Sequence, residues 1–344
     1  MKNKTTIAIP AYNEERFIAR TLESALFQAD EIIISDNAST DGTSEICKRY
    51  AQKYNHIRYH RNQSTITVMQ NFYQCVSMTD NPYFMFLGAH DLLSHNYVAI
   101  LKNILDSSDH ILAYSNPVHL TSEYSFLRTY DYFFANDLEV RDACTRVQSI
   151  IKNIADGTMF HGLYKKSFLE QGISFLRQYN ILGTDHELLT FLASLGTFKL
   201  SQDVTYFRIS PRAKEENIYV SWKRYLKAIY GDDYNEEKHP YMLIPVNTAL
   251  IQFDVAKKVF TENCPPQKYL QNIFNIIFYR YENDITITQN ILNNLEYHIK
   301  KYNLKTKKTI YENFMHIIYK ALRKIYSAKK IASSKIKNFI KKQF

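Results

Sequence analysis

Thr5-Thr6-Ile7-Ala8-Ile9-Pro10-Ala11-Tyr12-Asn13-Glu14-Glu15 decides how the chain is read. Apolar and β-branched residues run from Thr5 to Pro10 and stop at a polar loop, the pattern of a buried strand. Outward from it, Glu14–Gln28 carries Phe17, Ile18, Leu22, Ala25 and Leu26 at helical spacing. Glu31–Ser35 reads as a second strand, Asn37–Gly42 as a turn and Thr43–Lys53 as a second helix. Ile57–His60, Thr67–Met78 and Tyr83–Leu87 continue the series as strand, helix and strand. This alternation predicts an α/β fold, a doubly wound and mostly parallel sheet with helices on both faces. Ligands on such sheets bind beyond the carboxyl ends of the strands.

Three polar clusters fall at those strand ends. They are Pro10-Ala11-Tyr12-Asn13-Glu14-Glu15, Ser35-Asp36-Asn37-Ala38-Ser39-Thr40-Asp41-Gly42 and Gly88-Ala89-His90-Asp91. An aspartate just past a strand can accept hydrogen bonds from a base or ribose, and a His-Asp pair can hold a divalent cation on a diphosphate. Alternatively, Asp36 and Asp41 simply cap the next helix. There is no glycine-rich phosphate loop after the first strand, which removes the main support for kinase, ATPase and dehydrogenase readings.

The 344 residues, 45% of them hydrophobic, suffice for a catalytic domain with an appendage. The net charge of +9 is concentrated at one end. Residues 300–344 hold 14 of the 43 Lys and Arg and one acid, Glu312, leaving 29 basic against 33 acidic residues in 1–299. A mildly acidic body with a basic tail does not fit a nucleic-acid binder. Cys47, Cys75, Cys144 and Cys264 lack metal-ligand or redox spacing, which suggests a reduced, cytoplasmic setting. No apolar leader precedes Thr5 and no stretch is long enough to span a bilayer.

The runs Ile7–Glu15 and Ile34-Ser35-Asp36-Asn37-Ala38-Ser39-Thr40-Asp41-Gly42-Thr43 together resemble the N-terminal signature of glycosyltransferase family 2. The resemblance covers about residues 4–212 and implies the GT-A fold and inverting transfer from a nucleotide sugar. It implies a nucleotide site at Pro10, Ala11, Tyr12, Glu14, Asp36 and Asp41, with Asp36 on the base. The family's aspartate-rich metal motif falls at Leu87-Gly88-Ala89-His90-Asp91, where only Asp91 keeps its acid. A weak Mn²⁺ or Mg²⁺ site on His90 and Asp91 is one expectation, and metal-free support of the diphosphate by His90 the other. Gly183-Thr184-Asp185-His186-Glu187 stands where the family keeps its catalytic base, giving Asp185 that role with Glu187 as the neighbouring candidate. A hydroxyl nucleophile needs such a group to take its proton. His161 and Arg208 are implied on the acceptor or diphosphate side, each with an ordinary structural role as the alternative.

The expected organisation is a GT-A domain over 1–214, with a nucleotide-binding half (1–100) and an acceptor half (101–214), then a C-terminal helical appendage over 215–344. Within Thr309–Lys342, apolar residues recur in steps of three and four, and nine Lys and Arg fill the other face. This is the pattern of a helix lying on an anionic membrane, or of a basic helix docked on the acidic body. The expected function is transfer from a UDP-sugar to a glycan or lipid-linked acceptor in capsule or lipooligosaccharide synthesis, at the inner membrane surface. The rivals are a non-catalytic nucleotide-sugar or glycan-binding module and a sugar nucleotidyltransferase. Homo-oligomerisation stays open.

Overall fold

The computed structural model describes residues 3–154, 156–177 and 185–210, with Gln252 and Val255. The boundary expected at 214 and the basic tail lie outside the described residues.

The N-terminal half runs β1 (Thr5–Ala11), α1 (Ile18–Ala25), β2 (Glu31–Asp36), α2 (Thr43–Lys53), β3 (Ile57–Arg61), α3 (Val68–Ser77) and β4 (Tyr83–Phe86). The second half runs β5 (Leu92–Leu93), α4 (Tyr97–Asp106), β6 (Leu112–Thr121), β7 (Phe126–Thr129), α5 (Ala135–Glu139) and α6 (Ala143–Asn153). A 3-10 turn (Gly157–His161), β8 (Leu163–Lys165), α7 (Lys166–Leu176), α8 (Asp185–Leu195) and β9 (Phe198–Ser210) complete it.

The strands form one sheet in the order β3-β2-β1-β4-β8-β6-β9-β5, with β7 on β6. The first four are mutually parallel. β8 then enters antiparallel to both β4 and β6, while β6 and β9 are parallel. The sheet is therefore mixed: the parallel expectation holds for β1 to β4, and beyond them β8 and β5 run against their neighbours.

All seven residues of β1 are buried, as a strand covered on both faces requires. Ile7, Ile9, Ile32, Ile34, Met85 and Leu87 pack in one core with Ile18, Leu22 and Leu101. α1 begins four residues later than its apolar spacing suggests. The backbone N–H of Glu14 is bound by Thr43 Oγ1 at 2.7 Å and that of Glu15 by Asp41 Oδ2 at 3.2 Å, so loop contacts hold residues 13–15. α3 opens on a capping box between Thr67 and Gln70. Asp142 caps α6 through the N–H groups of Cys144 and Thr145.

Candidate active site

β1 and β2 end side by side, with Ala11 opposite Asp36 and Asp36 opposite Arg61 on β3. Their loops therefore start at one level and are laced together. Ser39 Oγ accepts from Asn13 N at 3.0 Å, Asn13 Oδ1 from Thr40 N at 2.8 Å, and Glu15 Oε2 from Gly42 N at 2.6 Å. Asn13 and Ala38 both take positive φ, 55° and 61°. For Ala38 this left-handed conformation costs on the order of 1 kcal/mol and is held by the lacing around it. Pro10 and Ala11 are buried, whereas Tyr12 is 48% exposed at the rim, with a ring face available for stacking. Asp41 binds the N–H groups of Thr43 and Glu15, so it caps α2 and ties the first loop to it.

Asp36 is wholly buried. Its Oδ1 accepts from Ser39 N at 2.8 Å. Its Oδ2 accepts from Ser44 Oγ at 2.6 Å, Tyr59 Oη at 2.7 Å and Arg61 Nη1 at 2.8 Å. Burial pushes this carboxyl up, but the hydrogen bonds from Ser39, Ser44 and Tyr59 outweigh it and bring it down to about 2. The carboxylate is thus turned into its own loop, where it fixes the loop backbone at Ser39.

Beneath the same edge lies an amide network that local sequence reasoning missed. Asn62 Nδ2 reaches Asn37 Oδ1 at 3.0 Å and Asn71 Oδ1 at 3.2 Å. Gln74 Nε2 reaches Asn62 Oδ1 at 3.0 Å, and Asn37 holds both backbone groups of Ile66. Its members come from the loops after β2 and β3 and from α3, and nothing in their spacing announces it.

The third cluster folds inward. Asp91 is 3% exposed. Its Oδ1 accepts from Ile209 N at 2.8 Å and its Oδ2 from Tyr206 Oη at 2.7 Å. The Tyr206 oxygen in turn accepts from Gly88 N at 3.2 Å. A Cβ on Gly88 would run into the Asp91 carboxylate, so glycine is what lets this knot close. His90 Nδ1 lies 2.9 Å from Glu14 Oε1, and its Nε2 is 3.9 Å from Asp91 Oδ1. Burial weakens the His90 cation, but Glu14 and Asp91 raise its pKa overall. The metal expected on His90 and Asp91 does not fit this donor set. Asp91 has both oxygens engaged by the protein, His90 is paired with a carboxylate, and among the described residues no group of three His, Cys, Asp or Glu is arranged to hold an ion.

The acceptor half supplies the rest. His119 on β6 and Arg208 on β9 are cross-strand partners and grip one carboxylate between them. His119 Nε2 is 2.8 Å from Asp156 Oδ2, and Arg208 Nη1 is 3.3 Å from Asp156 Oδ1. Thr158 adds its N–H to Asp156 Oδ1 at 2.8 Å, and Arg208 Nη1 bonds Thr158 Oγ1 at 3.0 Å. Burial raises the Asp156 carboxyl, but His119, Arg208 and Thr158 hold it well below the usual carboxylate range. Burial disfavours the Arg208 cation, but Asp156, Asp91 and Asp185 keep it charged. Its side chain remains 42% accessible. Asp156 and His119 were not singled out from the sequence, because His119 lies in an ordinary strand 37 positions away.

His161 Nδ1 donates to Phe86 O at 3.1 Å, and its ring stacks on Tyr206 with centroids 5.0 Å apart. Burial pushes its pKa down, so it is a neutral imidazole at neutral pH. Asp185 opens α8, half-buried, with its carboxylate against Gly157 where a Cβ would have to go. It acts electrostatically on both Arg208 and His161. Glu187, two positions on, is 1% exposed and packs inward. Asp185, Arg208, His161 and the inward-folded Gly88–Asp91 loop therefore meet at one place.

The family model of glycosyl transferase family 2 matches residues 6–172. The chain is 34% identical over 160 residues to the abequosyltransferase RfbV of Salmonella typhimurium, covering 42% of this chain and 48% of that one. It is 22% identical over 240 residues to the glycosyltransferase GlyG of Streptococcus pneumoniae, covering 67% and 79%. The chain thus spans about half the length of the first of these relatives. Among solved structures, S. aureus TarS 1–349 in complex with UDP-GlcNAc aligns at a TM-score of 0.49 and 12% identity, over 82% of this chain and 76% of that one.

Proposed function

We propose, from the match of residues 6–172 to the family model of glycosyl transferase family 2, that the chain is an inverting glycosyltransferase using a nucleotide-sugar donor. The observation that carries this reading is the half-buried Asp185 carboxylate lying against Gly157, between the two residues, Asp156 and Thr158, that anchor the Arg208 guanidinium. The loops offer Tyr12 and backbone groups to the nucleoside. Asp36 and Asp41 act as positioning residues for those loops, not as direct contacts. In the reaction, the acceptor hydroxyl oxygen attacks the anomeric carbon and its proton passes to Asp185. The bond from that carbon to the diphosphate oxygen breaks, and Arg208 takes up the charge left on the diphosphate. Its exposure suits Asp185 to this role better than the buried Glu187.

A UDP-sugar donor, a glycan or lipid-linked acceptor and a place in surface polysaccharide synthesis complete the proposal. The relatives' names support the last point: beside the abequosyltransferase stands a minor teichoic acid biosynthesis protein of Bacillus subtilis, 29% identical over 108 residues. No helix among the described residues is long and apolar enough to cross a membrane. The basic, amphipathic pattern of residues 300–344 supports peripheral membrane attachment at the cytoplasmic side. The test is release of nucleoside diphosphate from a panel of UDP-, GDP-, CDP- and dTDP-sugars. Consumption of one of them, accelerated by a lipid-linked or oligosaccharide acceptor, is expected. Binding of a nucleotide sugar with no turnover under any acceptor would favour a non-catalytic module instead.

A further inference from the structure

We infer that this site holds the donor diphosphate without a divalent cation, with Arg208 occupying the role a metal would have and Asp91 turned into a structural pin. The inference rests on the nucleotide-sugar reading above and deepens it. The family's cation is carried by acids at the end of the strand that is β4 here. In this chain the first of those positions is Gly88, and the missing side chain has a consequence. Because Gly88 has no Cβ, the Asp91 carboxylate folds back over it, where any other residue would collide with it. There both oxygens are taken, one by the backbone of Ile209 and one by Tyr206, whose hydroxyl is itself bound by Gly88 N. Each oxygen is fixed by a buried hydrogen bond, so turning the Asp91 carboxylate toward a cation would leave the Ile209 N–H or the Tyr206 hydroxyl unpaired, which is costly. Glu14, the other acid within reach of His90, is committed to the imidazole.

A diphosphate leaving group still requires positive charge opposite it. Arg208 stands two residues from Tyr206 on β9, and so on the same face of the strand. One of its nitrogens, Nη1, is anchored by Asp156 and Thr158. Among the described residues no partner is placed on Nε or Nη2, so a pair of donors in fork geometry remains for two phosphate oxygens. Asp156, held on its far side by His119, fixes the guanidinium from behind. The anchor and the acceptor-side carboxylate Asp185 together keep it charged.

The test uses the full chain stripped of metal with EDTA. Affinities for UDP, GDP, CDP and dTDP are measured by calorimetry in EDTA and again with millimolar Mn²⁺ or Mg²⁺. For the diphosphate that binds, equal affinity in the two conditions, within about threefold, is expected. Arg208→Ala is expected to weaken that diphosphate by about tenfold or more while leaving the corresponding nucleoside unchanged, because only the phosphates lose a partner. If Arg208→Ala fails to fold, Arg208→Lys carries the same comparison with its fork geometry removed. Tightening beyond about threefold by Mn²⁺ or Mg²⁺, abolished in His90→Ala, would overturn the inference and restore a metal site. An Arg208 variant that weakens nucleoside and nucleoside diphosphate alike would also overturn it. If none of the four diphosphates binds in either condition, the nucleotide-sugar reading fails and the inference with it, a result distinct from metal-dependent binding.

Discussion

Replacing Asp36 by asparagine removes the charge that four donors surround. In the folded chain its carboxyl titrates at about 2, against an ordinary 3.8. One pH unit of such a gap corresponds to 1.36 kcal/mol, so the ionised carboxylate contributes about 2 kcal/mol of stability. The folded value is the depressed one. The contribution is therefore fully present above the ordinary value and is lost as pH falls from about 4 to about 2. Asparagine keeps one acceptor oxygen for Ser39 N but turns an amide N–H₂ toward Arg61, which cannot accept. The hydroxyls of Ser44 and Tyr59 can rotate to accommodate it. Asp36→Asn should thus cost about 2 kcal/mol at pH 7, and the gap from wild type should close as pH falls through that window. Urea denaturation followed by far-ultraviolet circular dichroism, at pH 7 and at points down to pH 2, measures both. A variant within about 0.5 kcal/mol of wild type at pH 7, or a gap that does not narrow with acid, would refute the reasoning.

Gly157→Ala should displace the Asp185 carboxylate and cut turnover by about tenfold or more with donor KM little changed, read by steady-state kinetics; normal turnover would count against Asp185 at the reacting centre. Leu22→Ala, at a fully buried core position, should destabilise by about 2–5 kcal/mol in the same urea titration without altering nucleotide affinity. Truncation after residue 305 should abolish co-sedimentation with anionic vesicles and leave turnover of a soluble acceptor intact. Full-length binding should weaken with salt, and equal sedimentation of both forms would remove the membrane role from the tail.

The N-terminal half was legible because its signals are local. Thr43–Lys53 is a helix with the bounds its spacing implies, and the buried runs at Thr5 and Glu31 are strands extended by one residue each. The late start of α1 was not legible, because Thr43 and Asp41, on another loop, decide it. The antiparallel entry of β8 in the second half was hidden for a like reason. β8 is three residues long, and its direction is set by neighbours from distant parts of the chain. At the site, residue types could be read but not where their side chains turn. The sequence placed Asp36 at a strand end without saying that Ser39, Ser44, Tyr59 and Arg61 would enclose it. The knot of Asp91 with Tyr206 spans 115 positions, and its one local trace is the glycine at 88. The pairing of His119 with Asp156 left no trace at all.

The most direct test of the account is single-turnover release of nucleoside diphosphate from the identified donor, at saturating acceptor, by wild type and by Asp185→Asn. The account predicts a loss on the order of 10² or more in the variant, with the affinity for the free diphosphate unchanged. Turnover within about threefold of wild type would contradict it, since the acceptor proton would then be leaving by another route.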